Sequence, residues 1–124
     1  MSGEAACKMR SRAGVRHPLY RVLLRHLIEE YASYKPSHGQ IHAEAVIDAD
    51  HDHYEVMHVG WDGEKRIHGP VLHVDIIDGK FWVQYDGTSR PIADELVAAG
   101  VPRDDIVLAF HPEDVRHLTE YAVR

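Results

Sequence analysis

The stretch Tyr54–Gly87, YEVMHVGWDGEKRIHGPVLHVDIIDGKFWVQYDG, decides the fold. Three Asp-Gly pairs punctuate it, Asp62-Gly63, Asp78-Gly79 and Asp86-Gly87. Asp-Gly supplies the positive-φ positions of tight hairpin turns, so between alternating runs it signals a hairpin. With Asp78-Gly79 as a two-residue turn, Ile77 falls opposite Lys80, Ile76 opposite Phe81, Val74 opposite Val83 and Leu72 opposite Tyr85. Asp75 then meets Trp82, and His73 meets Gln84, on the other face. Unbroken period-2 alternation separates an apolar face from a mixed polar one. The first hairpin closes through a loop of two residues (Asp62-Gly63) or four (through Lys65). Either choice places Met57, Val59 and Trp61 with Leu72 and Val74 on the apolar face.

Upstream, Tyr20, Leu23, Leu24, Leu27, Ile28 and Tyr31 recur at steps of three and four, the spacing of an amphipathic helix beginning near Pro18. Pro36 and Gly39 end it, and its apolar stripe is expected to cover the Leu72/Val74/Phe81/Val83 face. Ile41 to Asp48 alternates as a further strand, which makes the strands an antiparallel meander. A second helix is expected from Pro91 to Ala99, with Thr88 or Ser89 as cap and Gly100 as its stop. Ile106 to Phe110 is a candidate fifth strand, and His111 to Arg124 a weak helical turn. The fold class is therefore α+β: a meander of four to five strands, an N-terminal helix on one face and a short helix after the meander. At 124 residues the chain forms one domain, assigned to residues 18–124, preceded by a flexible basic extension over residues 1–17.

Composition narrows the function. Hydrophobic residues make up 44% and charged residues 27%, as in ordinary globular proteins. No apolar run approaches membrane-spanning length and no secretory signal pattern opens the chain, so no membrane association is expected. The single cysteine, Cys7, excludes an intramolecular disulfide and favours the cytoplasm. Residues 1–26 carry six basic side chains against Glu4 alone, whereas the rest carries eight basic against nineteen acidic, for a net charge of −6. An acidic body is a poor match for nucleic acid. The basic segment, through Lys8, Arg10, Arg12 and Arg16, is the alternative route to direct DNA binding.

The search for chemistry ends without an active site. His51, His53, His58, His68 and His73 fall close together, but parity sends His58 and His68 to opposite faces and no HExxH or Cys/His quartet is present, so no metal ligands and no cofactor are assigned. There is no nucleophile elbow and no glycine-rich phosphate loop, and the paired acids Asp94–Glu95 and Asp104–Asp105 stand where helix starts and turns want them. No catalytic residues are assigned. An enzyme acting through His58, His73 and Asp75 remains a second alternative. The remaining candidate is the polar sheet face, with Tyr54, His58, His73, Asp75, Trp82 and Gln84 as partner-binding residues, because an open face bearing Trp, Tyr and His with few Lys has the composition of a protein contact surface.

The ordered set HVGWDG, the Arg-x-His-Gly of Arg66–Gly69, IADEL at Ile92–Leu96 and VLAFHP at Val107–Pro112 resembles the XisI family of fdxN-element excision controlling factors, over about Tyr20 to Val123. The basic start of this chain lies outside the usual start of that family. The resemblance implies an accessory role when a site-specific recombinase excises a DNA element from the chromosome, beside XisH-like proteins that resemble the PD-(D/E)xK nuclease fold. It implies no catalytic residues. The expected function is thus non-enzymatic control of excision through contact with an XisH-like partner, with homo-oligomers as a further form and DNA reached indirectly through the partner.

Overall fold

The computed structural model describes residues 13–36 and 39–124, with side chains from Pro18 onward. Helix α1 (Ala13–Ser33) is followed by strands β1 (Gln40–Asp48), β2 (His53–Asp62), β3 (Lys65–Ile77) and β4 (Lys80–Asp86). Then come helix α2 (Ile92–Ala98), a 3-10 turn at Arg103–Asp105, strand β5 (Ile106–Leu108) and a second 3-10 turn at Glu113–Leu118. The sheet runs in the order β1-β2-β3-β4-β5. The first four strands form the expected antiparallel meander. The fifth is parallel to β4, because α2 carries the chain back across the sheet before β5 begins.

The Asp78-Gly79 turn forms as expected: both residues take positive φ, 51° and 77°, and Ile77 pairs with Lys80. α1 begins at Ala13, before Pro18, whose ring already holds a helical φ and whose missing N–H forgoes one bond near the helix start. Its Tyr20, Leu24, Leu27, Ile28 and Tyr31 pack on Leu72, Val74, Phe81 and Val83, joined by Ile92 and Leu96 of α2. Both helices lie on one side of the sheet, the helix face. Tyr20 stacks against Phe81 with ring centroids 4.5 Å apart and donates its hydroxyl hydrogen to Asp105 Oδ2 at 2.5 Å, tying α1 to the entry of β5. The start of α2 is held by Asp86, whose Oδ2 accepts from the Ile92 amide at 2.9 Å while Oδ1 accepts from the amide and hydroxyl of Thr88. Pro91 stands at the cap position, and Asp86, rather than Thr88 or Ser89, supplies the side-chain acceptor for the first helical amide.

Two bulges correct the expected faces. In the β2–β3 pair Met57 faces Pro70 but Val56 faces Leu72, leaving Val71 unpaired. In the β3–β4 pair Val74 faces Val83 but His73 faces Tyr85, leaving Gln84 unpaired. One extra residue reverses the parity of everything beyond it. Tyr54 and Val56 therefore point into the core, each 1% exposed, while Trp61 and Tyr85, both expected in the core, are half exposed on the other side. Met57 and Val59 follow Trp61 to that far face. The first hairpin turns on Gly63 and Glu64, with Asp62 opposite Lys65.

Candidate functional site

Among the described residues the far face carries no α-helix, and its most constrained point is Asp75. Lodged mid-strand on β3 opposite Trp82, this carboxylate is 7% exposed. Two imidazoles converge on one of its oxygens: His53 Nδ1 at 2.8 Å and His73 Nε2 at 2.7 Å both meet Oδ1. The other oxygen accepts from Gln84 Nε2 at 3.2 Å. On the far side of the His73 ring, Nδ1 stands 3.5 Å from Glu55 Oε1. The backbone explains the convergence: His53 and Asp75 are cross-strand partners, His73 lies two residues along the same strand, and Glu55 is opposite His73. A buried carboxylate is costly unless hydrogen-bonded, and these groups satisfy it. In return the Asp75 carboxylate, bonded to the His53 ring, raises the His53 pKa above its ordinary value.

Of the residues expected at a contact surface, His73, Asp75, Trp82 and Gln84 do share the far face. Trp82 is half-buried there, with the Arg116 guanidinium 5.6 Å above its ring. Arg116 is itself held by the carbonyls of Ala109, His111 and Val123, so the C-terminal segment covers the β4–β5 end of this face, and among the described residues no helix covers its β1–β3 region. Tyr54 and His58 do not belong to the set, because the Val71 bulge turns them to the helix face. Tyr54 is core, its hydroxyl donating to Asp52 Oδ1 at 3.2 Å. His58 instead lines a groove of about 540 Å³ with Tyr31, Tyr34, Val56, Val71 and Arg90. There the Arg90 guanidinium lies over the rings of Tyr31 and Tyr34 and pairs with Glu30 and Glu95. The constellation His58–His73–Asp75 is therefore not one site. Lys8, Arg10 and Arg12 lie outside the described residues, and Arg16 falls within α1.

His53 is the member that sequence reading missed. Its pairing with Asp75 becomes legible only once the bulge is counted, and the signal was the Asp-His-Asp-His run leading into β2. Chemically, a His–carboxylate–His arrangement can bind a cation or hold a proton between imidazole and carboxylate. It stands on an open sheet surface: neither the His58 groove nor a second groove of about 520 Å³ beside Ile41 and Ala43 includes His53, His73 or Asp75. Among the described residues, no helix is long and apolar enough to cross a membrane.

Residues 16–123 match the family model described as XisI protein. Among solved structures, a XisI-like protein from Anabaena variabilis ATCC 29413 superposes with a TM-score of 0.81 at 41% identity, covering 87% of this chain and 99% of that one. The fdxN element excision controlling factor XisI from the same organism gives a TM-score of 0.74 at 34% identity, covering 87% of this chain and 98% of that one. Comparison with curated proteins gives no match. A family match over nearly the whole chain, together with the shared fold at this level of identity, makes this chain a member of the XisI family.

Proposed function

We propose that this chain is a cytoplasmic, non-enzymatic accessory factor that controls excision of a DNA element, and that it works by contact with an XisH-like protein partner. The observation that carries the reading is its similarity, at 34% identity over nearly all of that protein, to an fdxN element excision controlling factor. The chemistry of the surface supports contact. The far face presents Tyr85 and Val46 near the His53–Asp75–His73 cluster and Trp61 toward the β2–β3 hairpin, three large apolar side chains each 44% exposed or more. Exposed aromatic residues at the centre of a polar surface are the usual anchors of protein interfaces. The acidic body suits a basic protein surface better than it suits DNA.

Co-expression of the tagged chain with an XisH-like protein tests this. The two should co-purify, and Trp61→Ala and Tyr85→Ala should each reduce capture while leaving the thermal midpoint nearly unchanged, since neither side chain is in the core. Failure to co-purify, or capture undiminished in the double variant, refutes the reading.

A further inference from the structure

We propose that His53, His73 and Asp75 form a binding site for a divalent transition ion of the Zn²⁺ class, an inference that stands independently of the partner-contact reading. The donor set is two imidazole nitrogens and one carboxylate oxygen, all within 4.8 Å of one another. Imidazole with carboxylate is a ligand set that borderline divalent ions take, and three protein ligands leave a coordination position free. The three atoms now lie 2.7 and 2.8 Å apart along the two His–Asp contacts. Tetrahedral Zn²⁺ with bonds near 2.0–2.1 Å spaces its ligands by about 3.3 Å, so an ion is admitted when each imidazole nitrogen parts from Asp75 Oδ1 by roughly half an ångström and the two nitrogens, within 4.8 Å of each other, take up the same spacing. The His53 ring is half-exposed and can make that movement.

The surroundings are what distinguish this cluster from an ordinary neutralised carboxylate. To ligate, His73 must leave Nε2 unprotonated and carry its proton on Nδ1. That nitrogen faces Glu55 Oε1 at 3.5 Å, a carboxylate placed to accept the Nδ1–H hydrogen bond and fix the tautomer. Metal-bound histidines characteristically donate their second ring N–H to such a group, which orients the ring and raises its basicity. Asp75 is steadied in the same way, its second oxygen accepting from Gln84. Asp75 and His73 thus each have an orienting partner in place. The open position points away from the sheet toward the uncovered far face, where water or a donor from another molecule completes the coordination.

The full chain should bind one equivalent of Zn²⁺ in calorimetric titration, and Co²⁺ in its place should give visible absorption bands characteristic of nitrogen–oxygen ligation. His53→Ala and His73→Ala should each weaken binding more than tenfold and abolish the Co²⁺ bands, whereas Glu55→Gln should weaken binding about tenfold. His58→Ala, on the opposite face, should leave both readouts unchanged. Circular dichroism checks that each variant is folded; should His73→Ala fail to fold, the half-exposed His53→Ala decides. Absence of Zn²⁺ binding by the full chain, or wild-type affinity in folded His53→Ala, overturns the proposal.

Discussion

Tyr20→Phe isolates one atom of the clasp that holds the two ends of the domain together. Tyr20 is fully buried, and its ring against Phe81 is kept by the substitution. What is lost is the hydroxyl that donates to Asp105 Oδ2 at 2.5 Å across 85 residues of sequence. Asp105 is itself only 5% exposed, so water cannot readily replace the donor. Hydrogen bonds to charged groups contribute about 1.5–3 kcal/mol, twice the neutral value. For a domain of this size 1 kcal/mol corresponds to about 3–5 °C, so the midpoint should fall by roughly 5–15 °C. Arg21, the next residue, provides the internal control. It makes a two-bond pair with Asp52 at 2.8 and 2.9 Å, but its own side chain is 44% exposed, so that water reaches the guanidinium and weakens the pair. Arg21→Ala should therefore move the midpoint far less. Thermal unfolding followed by circular dichroism measures both, and urea unfolding should show the slope unchanged and only the midpoint shifted. In an Asp105→Asn background the cost of Tyr20→Phe should shrink, as expected for two groups that share an interaction. Equal losses from Tyr20→Phe and Arg21→Ala, or no coupling to Asp105, would refute this account of the clasp.

Two further predictions concern backbone and ionisation. Gly60 has φ +154° and a Cβ there would lie 2.0 Å from the Gln40 carbonyl oxygen, so Gly60→Ala should cost about 3 kcal/mol or more in denaturant unfolding. Gly63, at φ +62° with open space around it, bears only the left-handed penalty, and Gly63→Ala should cost about 1 kcal/mol. Burial first, and then the neighbouring Asp52 carboxylate, push the Tyr54 hydroxyl up to about 12. The folded state thus holds this proton more tightly than the unfolded chain does. The stability it contributes is full below the ordinary tyrosine value of about 10 and is lost as pH rises through the folded value. Wild-type protein should accordingly lose stability relative to Tyr54→Phe across that window, read as the difference between their urea midpoints; a constant difference would contradict the burial of Tyr54.

Much of the architecture was legible because its signals are local. The Asp78-Gly79 turn needs two positive-φ residues in succession, and few other dipeptides provide them. The spacing of Tyr20, Leu24, Leu27, Ile28 and Tyr31 writes one helical stripe, and all five are core. What the sequence did not disclose is where the strands slip. Period-2 reasoning holds only while pairing is continuous, and nothing in the composition of Val71 or Gln84 marks either as the residue left out of its ladder. The ambiguity is real because both sides of β2 are apolar enough to be core: Met57, Val59 and Trp61 on one, Tyr54 and Val56 on the other. Packing under α1 decides between them. The same slip concealed the candidate site, since it brings His53 opposite Asp75 and sends His58 away.

The Val71 bulge has a consequence for how this chain tolerates change in length. Deleting Val71 would alter composition by one aliphatic residue and leave the β2–β3 ladder continuous, with Val56 still opposite Leu72 and Met57 opposite Pro70, whereas a deletion within β2, where every position is paired, would break the alternation. Removing Val56, for instance, would set Glu55 beside Met57, two residues of the far face, so that either Trp61 turns inward or Tyr54 turns outward and takes His53 away from Asp75. Insertions in the hairpin tip at Gly63-Glu64 carry no such penalty, because the loop lies beyond the last paired residues. What this protein shows to its surroundings is thus written in the count of residues between two turns as firmly as in their identity.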